Sequence, residues 1–120
     1  MIGRIWHGKT LIENARDYLN YMVKTGVNDC LNTKGNNGVI IFENSKEAIS
    51  DFTFISLWDK NDSIELFSKN KNDKAVLYQE DTKYLIEYDK SVQLEKCYFF
   101  IKRNIDNKYF DLDLPPHVTI

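Results

Sequence analysis

The sequence lacks a concentration of charge of either sign. Its 16 Lys and Arg residues are interspersed with 18 Asp and Glu residues, and the formal net charge is −2 at pH 7. A nucleic-acid interface needs a basic patch or stripe, so this pattern argues against DNA or RNA as a partner. The sequence also lacks an apolar run near the ~20 residues of a membrane-spanning helix. Residues 1–6 lack the apolar segment of a signal peptide, and we therefore expect a cytoplasmic protein with no membrane partner.

Motifs for metals, nucleotides and hydrolytic nucleophiles are missing as well. The sequence contains no Cys/His cluster with metal-ligand spacing, no P-loop, no Gly-x-Gly-x-x-Gly and no Gly-x-Ser-x-Gly. Its two cysteines, Cys30 and Cys97, lie far apart and outside any motif, which favours free thiols in a reducing compartment over a disulfide. From these absences we expect a protein without a metal or a cofactor.

Aromatic residues, in contrast, are abundant. They make up 13% of the 120 residues, with seven Tyr, seven Phe and two Trp. A chain of this length suits one domain with a substantial core. Its apolar content of 42% and charged content of 28% are ordinary for a globular protein. So many rings suit a core that also forms the wall of a cavity, and they suit a plain core as well.

Residues 51–58, Asp-Phe-Thr-Phe-Ile-Ser-Leu-Trp, predict the central strand of the fold. Because side chains alternate between the two faces of a strand, Phe52, Phe54 and Trp58 share one face with Ser56. The other face is mostly apolar too, so we expect both faces to be covered. Trp58 is then either a core residue or the first residue of a pocket wall, and the regular spacing of the aromatic residues favours the core.

The other periodic segments predict strands and helices on both sides of this strand in the chain. Residues 3–7 predict a first strand, and the following Thr-Leu-Ile-Glu at residues 10–13 fits a helix capping box. The helix after it ends at Gly26 and has an apolar stripe at three-to-four spacing, formed by Ala15, Tyr18, Leu19, Met22 and Val23. The later elements are a strand at 39–42, a loop at 44–47, a helix at 61–70, a helical turn at 75–78, and strands at 91–101 and 109–114.

The order strand, helix, strand, strand, helix, strand predicts an α+β fold of the ferredoxin-like sandwich type. Two helices can cover only one face of such a sheet. The second apolar face of the central strand must therefore bury against something else, and a second copy of the chain is the economical partner. We expect a homodimer in which one sheet packs on the other.

Five short motifs, taken in order, resemble the antibiotic biosynthesis monooxygenase (ABM) domain family. They are Arg-Ile-Trp-His-Gly at 4–8, Thr-Gly-Val at 25–27, Gly-Asn-x-Gly at 35–38, Ser-Leu-Trp at 56–58 and Tyr-x-Glu-Asp at 78–81. The resemblance covers residues 1–99, with residues 100–120 as a C-terminal extension of the same domain that adds a strand or hairpin. It implies a dimeric α/β barrel, in which two ferredoxin-like subunits join their sheets and each has a pocket between sheet and helices.

The same resemblance implies a class of function. The family includes cofactor-independent oxygenases of aromatic phenols and haem-degrading enzymes. The haem-degrading branch uses Asn, Trp and His at positions that correspond here to His7, Phe67 and Leu77 or Tyr78, and the absence of all three argues against haem degradation. It implies a cofactor-independent monooxygenase, an oxidoreductase acting on a small aromatic or hydrophobic substrate. The alternative is a non-catalytic dimeric module that binds a small hydrophobic ligand or a partner protein.

Two residues are candidates for catalysis. His7, in the first strand, suits a general base or hydrogen-bond donor, with a structural histidine as the alternative. Tyr78 suits a hydroxyl that holds the substrate, with a buried, hydrogen-bonded tyrosine as the alternative. We expect the two to meet at one ligand, with Trp6, Trp58 and Phe67 as substrate-binding walls.

Arg4, in the first strand, is the remaining charged residue of interest. We expect it to form an ion pair with Asp51 or Glu47 across the sheet, which the sequence favours over anion binding. The test between enzyme and binding module is whether His7 and Tyr78 converge on one cavity.

Overall fold

Alternating apolar residues build an antiparallel sheet that organises the chain. The structure, a computed structural model, describes residues 1–102 and 109–110. The strands are, in chain order, β1 (Ile2–Leu11), β2 (Asn36–Lys46), β3 (Ile49–Trp58), β4 (Leu85–Tyr88), β5 (Gln93–Lys96), β6 (Ile101–Lys102) and β7 (Tyr109–Phe110). The first five form one sheet in the order β2-β3-β1-β4, and β5 also pairs with β1. All of these pairings are antiparallel.

The helical segments connect β1 to β2 and β3 to β4. A short 3₁₀ turn at Ile12–Asn14 leads into α1 (Ala15–Met22), which continues through a wider π-helical segment at Val23–Val27 into α2 (Asn28–Leu31). The later helices are α3 (Asn61–Ser68) and α4 (Asp81–Tyr84). This α+β arrangement is consistent with the expected ferredoxin-like sandwich. None of the helices in the described residues has the length and apolarity that crossing a membrane requires.

The central position of β3 confirms the expectation from its sequence, since the strand lies between β1 and β2. Its face with Phe52, Phe54 and Trp58 is buried and belongs to the core, together with Tyr18 from α1 and Ile64 from α3. Large rings therefore fill the space between the sheet and the helices. The opposite face of β3 is covered less completely, because alternate positions there are only half-buried.

The start of the helical region differs from the expectation. Thr10 lies within β1, opposite Ser50, and its hydroxyl donates to the carbonyl of Leu11 at 2.9 Å instead of capping a helix. Strand β1 pairs with β3 along its full length. This pairing keeps Thr10 and Leu11 extended and outweighs the local capping signal. Gly26 does not end the helix either. It is buried inside the π-helical segment, where the helix packs against the ring of Phe54.

The other strands and helices also differ in their bounds from the predictions, because pairing between strands determines where a strand begins and ends. β2 extends through the predicted loop at 44–47 as far as Lys46, and residues 75–78 form no helical turn. Of the predicted strand at 91–101, only β5 pairs with β1. Strand β4 pairs with the remaining part of the same edge of β1. β6 pairs with β7 in a separate two-stranded sheet, and residues 111–114 of the predicted last strand lie outside the described residues.

Candidate ligand-binding site

A partly open cavity lies between the sheet and the helices. Most of its lining is aromatic or apolar, and this part is formed by Trp6, Tyr18, Met22, Phe54, Phe67 and Val76. The volume of the cavity is ≈ 40 Å³, measured as the space open to the centre of a water molecule. The whole depression reaches ≈ 420 Å³ when the solvent at its mouth is counted. One water needs about 10–15 Å³ on the first measure. A cavity of this volume admits only a small group, and a larger ligand would extend into the solvent-filled mouth.

Strand β1 supplies two residues to the cavity because of its alternation. Arg4 and Trp6 share the face that points to the helices. The indole of Trp6 is fixed at both ends. Its Nε1 donates to the carbonyl of Asp89 at 2.8 Å. Its six-membered ring lies over Gly8, where a Cβ would come within 2.5 Å of the ring, so a side chain at residue 8 would displace the indole from the cavity wall.

Arg4 is buried, with only 4% of its surface exposed. Its Nη2 donates to the carbonyl of Lys74 and its Nε to the carbonyl of Asn72 at 3.4 Å, and its guanidinium lies 5.4 Å from the centre of the Phe67 ring. In the described part of the chain, no carboxylate forms an ion pair with it. Burial is the main cause that lowers the pKa of Arg4.

The expected ion pair of Arg4 with Asp51 or Glu47 is therefore wrong. The register explains why: Arg4 lies opposite Ser56, whereas Asp51 lies opposite Lys9 on the other face of the sheet. The carboxylate of Asp51 accordingly pairs with Lys9 at 3.9 Å.

A second group of polar side chains lies at the helix side of the cavity. The carboxylate of Asp81 accepts the hydroxyl of Tyr18 at 3.3 Å and the backbone N–H of Tyr78 at 2.5 Å. Burial raises the pKa of Asp81 above its ordinary value. The hydroxyl of Tyr78 donates to Asp29 at 2.6 Å, and burial together with this carboxylate raises its pKa. The phenol of Tyr78 is thus neutral at physiological pH.

Cys30 is the other ionisable group near Arg4. It is fully buried on α2, and burial raises the pKa of its thiol to about 12. Burial also raises the pKa of Tyr18, with the neighbouring Asp81 adding to the effect. The thiol and both phenols are therefore uncharged at neutral pH, and none of them offsets the charge of Arg4.

The structure brings three of the five predicted site residues to this cavity. Trp6, Phe67 and Tyr78 line it. Trp58 instead lies fully buried in the core, where its Nε1 donates to Oγ of Ser56 at 2.8 Å and its ring packs on Phe67. This outcome agrees with the core alternative for Trp58, since the wall of the cavity lies closer to the middle of β3.

His7 lies on the opposite face of the sheet. Its Nδ1 is 2.8 Å from Oδ2 of Asp89, and 54% of its side chain is exposed. Neighbouring residues of a strand point to opposite faces, so Trp6 and His7 cannot both reach the cavity. The structure does not bring His7 and Tyr78 together.

Sequence reasoning missed Arg4 and Asp81 as cavity residues. The signal for Arg4 is the alternation of β1, which sets it on the same side as Trp6. Asp81 belongs to the Tyr-x-Glu-Asp motif at 78–81, but its place in the cavity depends on how the irregular segment after α3 returns to the sheet.

Fold and site together define an α+β domain with a small, mainly aromatic cavity that contains one buried cation and one buried carboxyl group. Among the described residues, no group of three or more His, Cys, Asp and Glu side chains could hold a metal ion. No protein-family model matches the chain, and no curated protein is significantly similar to it.

Proposed function

We propose that this protein binds a small aromatic or hydrophobic molecule in the cavity between its sheet and its helices. The observation that carries the proposal is the lining, in which rings such as Trp6, Phe54 and Phe67 surround a few polar groups. Small-molecule sites have this composition because apolar walls exclude water and a few polar atoms then fix the orientation of the ligand. The separation of His7 from Tyr78 favours binding over catalysis.

Gly26 provides a direct test of this binding. A Cβ there would lie 3.6 Å from the Phe54 ring and 3.7 Å from the Tyr78 ring, which are ordinary contacts. Gly26→Ala should therefore fold normally and keep most of the cavity, whereas Gly26→Leu should fill it. We expect phenol, indole or benzoate to bind the wild type and Gly26→Ala by calorimetry, and to lose binding in Gly26→Leu. Equal binding to Gly26→Leu would show that the ligand site lies elsewhere.

A second candidate function is cofactor-independent oxygenation of a phenolic substrate, and Asp81 is the observation in its favour. A carboxylate with a raised pKa in a mainly apolar cavity suits a general base that accepts the proton of a phenol. The resulting electron-rich phenolate would react with O₂ directly, with one oxygen atom entering the ring to give a quinone and the other leaving as water. Oxygen uptake with a panel of phenols tests this function. Asp81→Asn should lower the rate by ~100-fold or more, the lower range for a general base.

We further propose that two copies of the chain join through the open face of the sheet, which is the face that points away from the helices, as in the dimeric α/β barrel of the ABM family. Support comes from the apolar residues on that face. Ile5, Ile55 and Ile40 lie side by side on β1, β3 and β2, and Phe42 beside them is 58% exposed. Permanent homodimers commonly bury over ~2,000 Å² of mainly apolar surface. The strand order and the cavity also support membership of the ABM family.

A further inference from the structure

We infer that the ligand of this cavity is a small aromatic monocarboxylate whose carboxylate group pairs with Arg4. This inference rests on the proposed ligand binding and adds the charge of the ligand to it. It takes Arg4 as an anion-binding residue and the neighbouring rings as the contact surface for the rest of the molecule.

The free hydrogen-bond donors of Arg4 are the first argument. A guanidinium has five N–H donors in a planar fork. Nε and Nη2 donate to the carbonyls of Asn72 and Lys74, whereas Nη1 forms no hydrogen bond to any of the described residues. Arg4 lines the cavity, so the unused donors of the fork can be reached from it. A carboxylate accepts two parallel N–H bonds from such a fork, which is the geometry that arginine provides and lysine does not.

The charge of Arg4 is the second argument. A buried cation is costly unless an anion or several hydrogen bonds compensate it. The two backbone carbonyls and the face of the Phe67 ring supply only partial negative charge. The groups whose charge would raise the pKa of Arg4 are Cys30 and Tyr78, and both are neutral at physiological pH. A bound anion would complete the compensation.

Asp81 lines the same cavity but does not fill this role. Its two carboxylate oxygens accept hydrogen bonds from Tyr18 and from the backbone of Tyr78, and it forms no ion pair with Arg4. Arg4 is the one cationic side chain among the described residues that line the cavity, so a single negative charge fits and a dianion does not.

The size of the cavity sets the shape of the ligand. The cavity volume of ≈ 40 Å³ admits a carboxylate group but is small for a ring. A benzene ring attached to the carboxylate would extend towards the wider mouth. Trp6 and Phe67 line the same depression and offer apolar surface to the ring, and Phe67 already lies 5.4 Å from the guanidinium.

Benzoate and its neutral isostere benzamide provide the test on the full chain, by titration calorimetry and ¹H–¹⁵N correlation spectra at pH 7. We expect benzoate to bind at least ~10-fold more tightly than benzamide, since a charge-assisted hydrogen bond supplies this difference. Arg4→Met should remove the preference and leave weak, equal binding of both. It should fold, because replacing a buried charge by an apolar side chain of similar volume is often neutral or stabilising. Lys9→Met, which removes a cation from the other face of the sheet, should keep the wild-type preference.

The outcomes separate this inference from the proposed function. Equal affinity of the wild type for benzoate and benzamide, or unchanged benzoate affinity in Arg4→Met, would overturn the anion site and leave ligand binding intact. Failure of benzoate, benzamide, phenol and indole all to bind would overturn the proposed function and the inference with it. Should Arg4→Met not fold, Arg4→Lys serves in its place: it keeps the charge without the planar fork, and the expected loss of benzoate affinity is at least ~3-fold.

Discussion

Oδ1 of Asp81 accepts a hydrogen bond from the hydroxyl of Tyr18 at 3.3 Å, which joins the start of α4 to α1 beside the cavity. Its Oδ2 accepts the backbone N–H of Tyr78. One carboxyl group thus connects α1 to the irregular segment that contains Tyr78 and lines the cavity. Because both oxygens have partners, its protonation state affects the stability of the fold as well as the chemistry of the site.

Asp81→Asn should change stability in a pH-dependent way. Burial raises the folded-state pKa of Asp81 above its ordinary 3.8, so the folded state favours the protonated form. The resulting contribution to stability is present below pH 3.8 and is lost as pH rises through the raised pKa. The wild type should therefore exceed Asp81→Asn in free energy of unfolding by most at acidic pH. Urea unfolding of both proteins from about pH 4 to pH 7 measures this difference. A difference that grows towards neutral pH would contradict it.

Ser56→Ala should destabilise the core. It removes the acceptor for Nε1 of Trp58, which is fully buried, and an unpaired buried donor costs about 1–3 kcal/mol. The measurement is the free energy of unfolding in urea. Trp58→Phe provides the matched background, because it lacks the donor. Ser56→Ala should cost clearly less there, and an equal cost in both backgrounds would assign the effect to something other than this hydrogen bond.

His7→Ala should leave ligand binding at the cavity unchanged. The side chain lies on the other face of the sheet and pairs with Asp89, whose carboxylate keeps the backbone N–H of residue 7 at 3.0 Å in the variant. Loss of an exposed pair of this kind costs under ~1 kcal/mol of stability. Calorimetric titration with benzoate and thermal unfolding measure the two quantities. A tenfold loss of affinity would show that His7 does act on the ligand.

Ile55→Glu should dissociate the proposed dimer. Ile55 lies between Ile5 and Ile40 at the middle of the open sheet face, where a buried carboxylate without a partner would be costly. Leu66→Glu is the matched control, because Leu66 is 65% exposed on α3 and lies away from this face. Light scattering at micromolar concentration should give the mass of a dimer for the wild type and the control, and of a monomer for Ile55→Glu. A monomeric wild type would rule out the sheet-to-sheet dimer.

Much of the fold could be predicted from local patterns. The run at 51–58 identifies the central strand because it alternates with period two and both of its faces are mostly apolar. Helix α3 also follows from its apolar positions, since Ile64 and Phe67 are buried, although it ends at Ser68 and not at the predicted residue 70. The capping box at 10–13 and the stop at Gly26 were wrong because strand pairing and packing against Phe54 outweigh such local signals.

The site was harder to predict, since it depends on contacts between distant residues. Alternation alone could have separated His7 from Trp6, and it correctly joins Arg4 to Trp6. The partners of Arg4 are carbonyls of residues 72 and 74, on a segment without regular structure. No periodicity predicts where such a segment returns to the sheet, so the surroundings of Arg4 could be seen only in the structure.

Because the two tryptophans have different surroundings, their intrinsic fluorescence can report on ligand binding in the cavity. Trp6 lines the cavity and is 9% exposed, whereas Trp58 is sealed within the core. Acrylamide should therefore quench the emission of Trp6 first and leave that of Trp58 as an internal reference. A ligand that enters the cavity should protect Trp6 from the quencher. In Trp58→Phe the whole fluorescence signal comes from the cavity wall, so occupancy can be followed in an unlabelled protein.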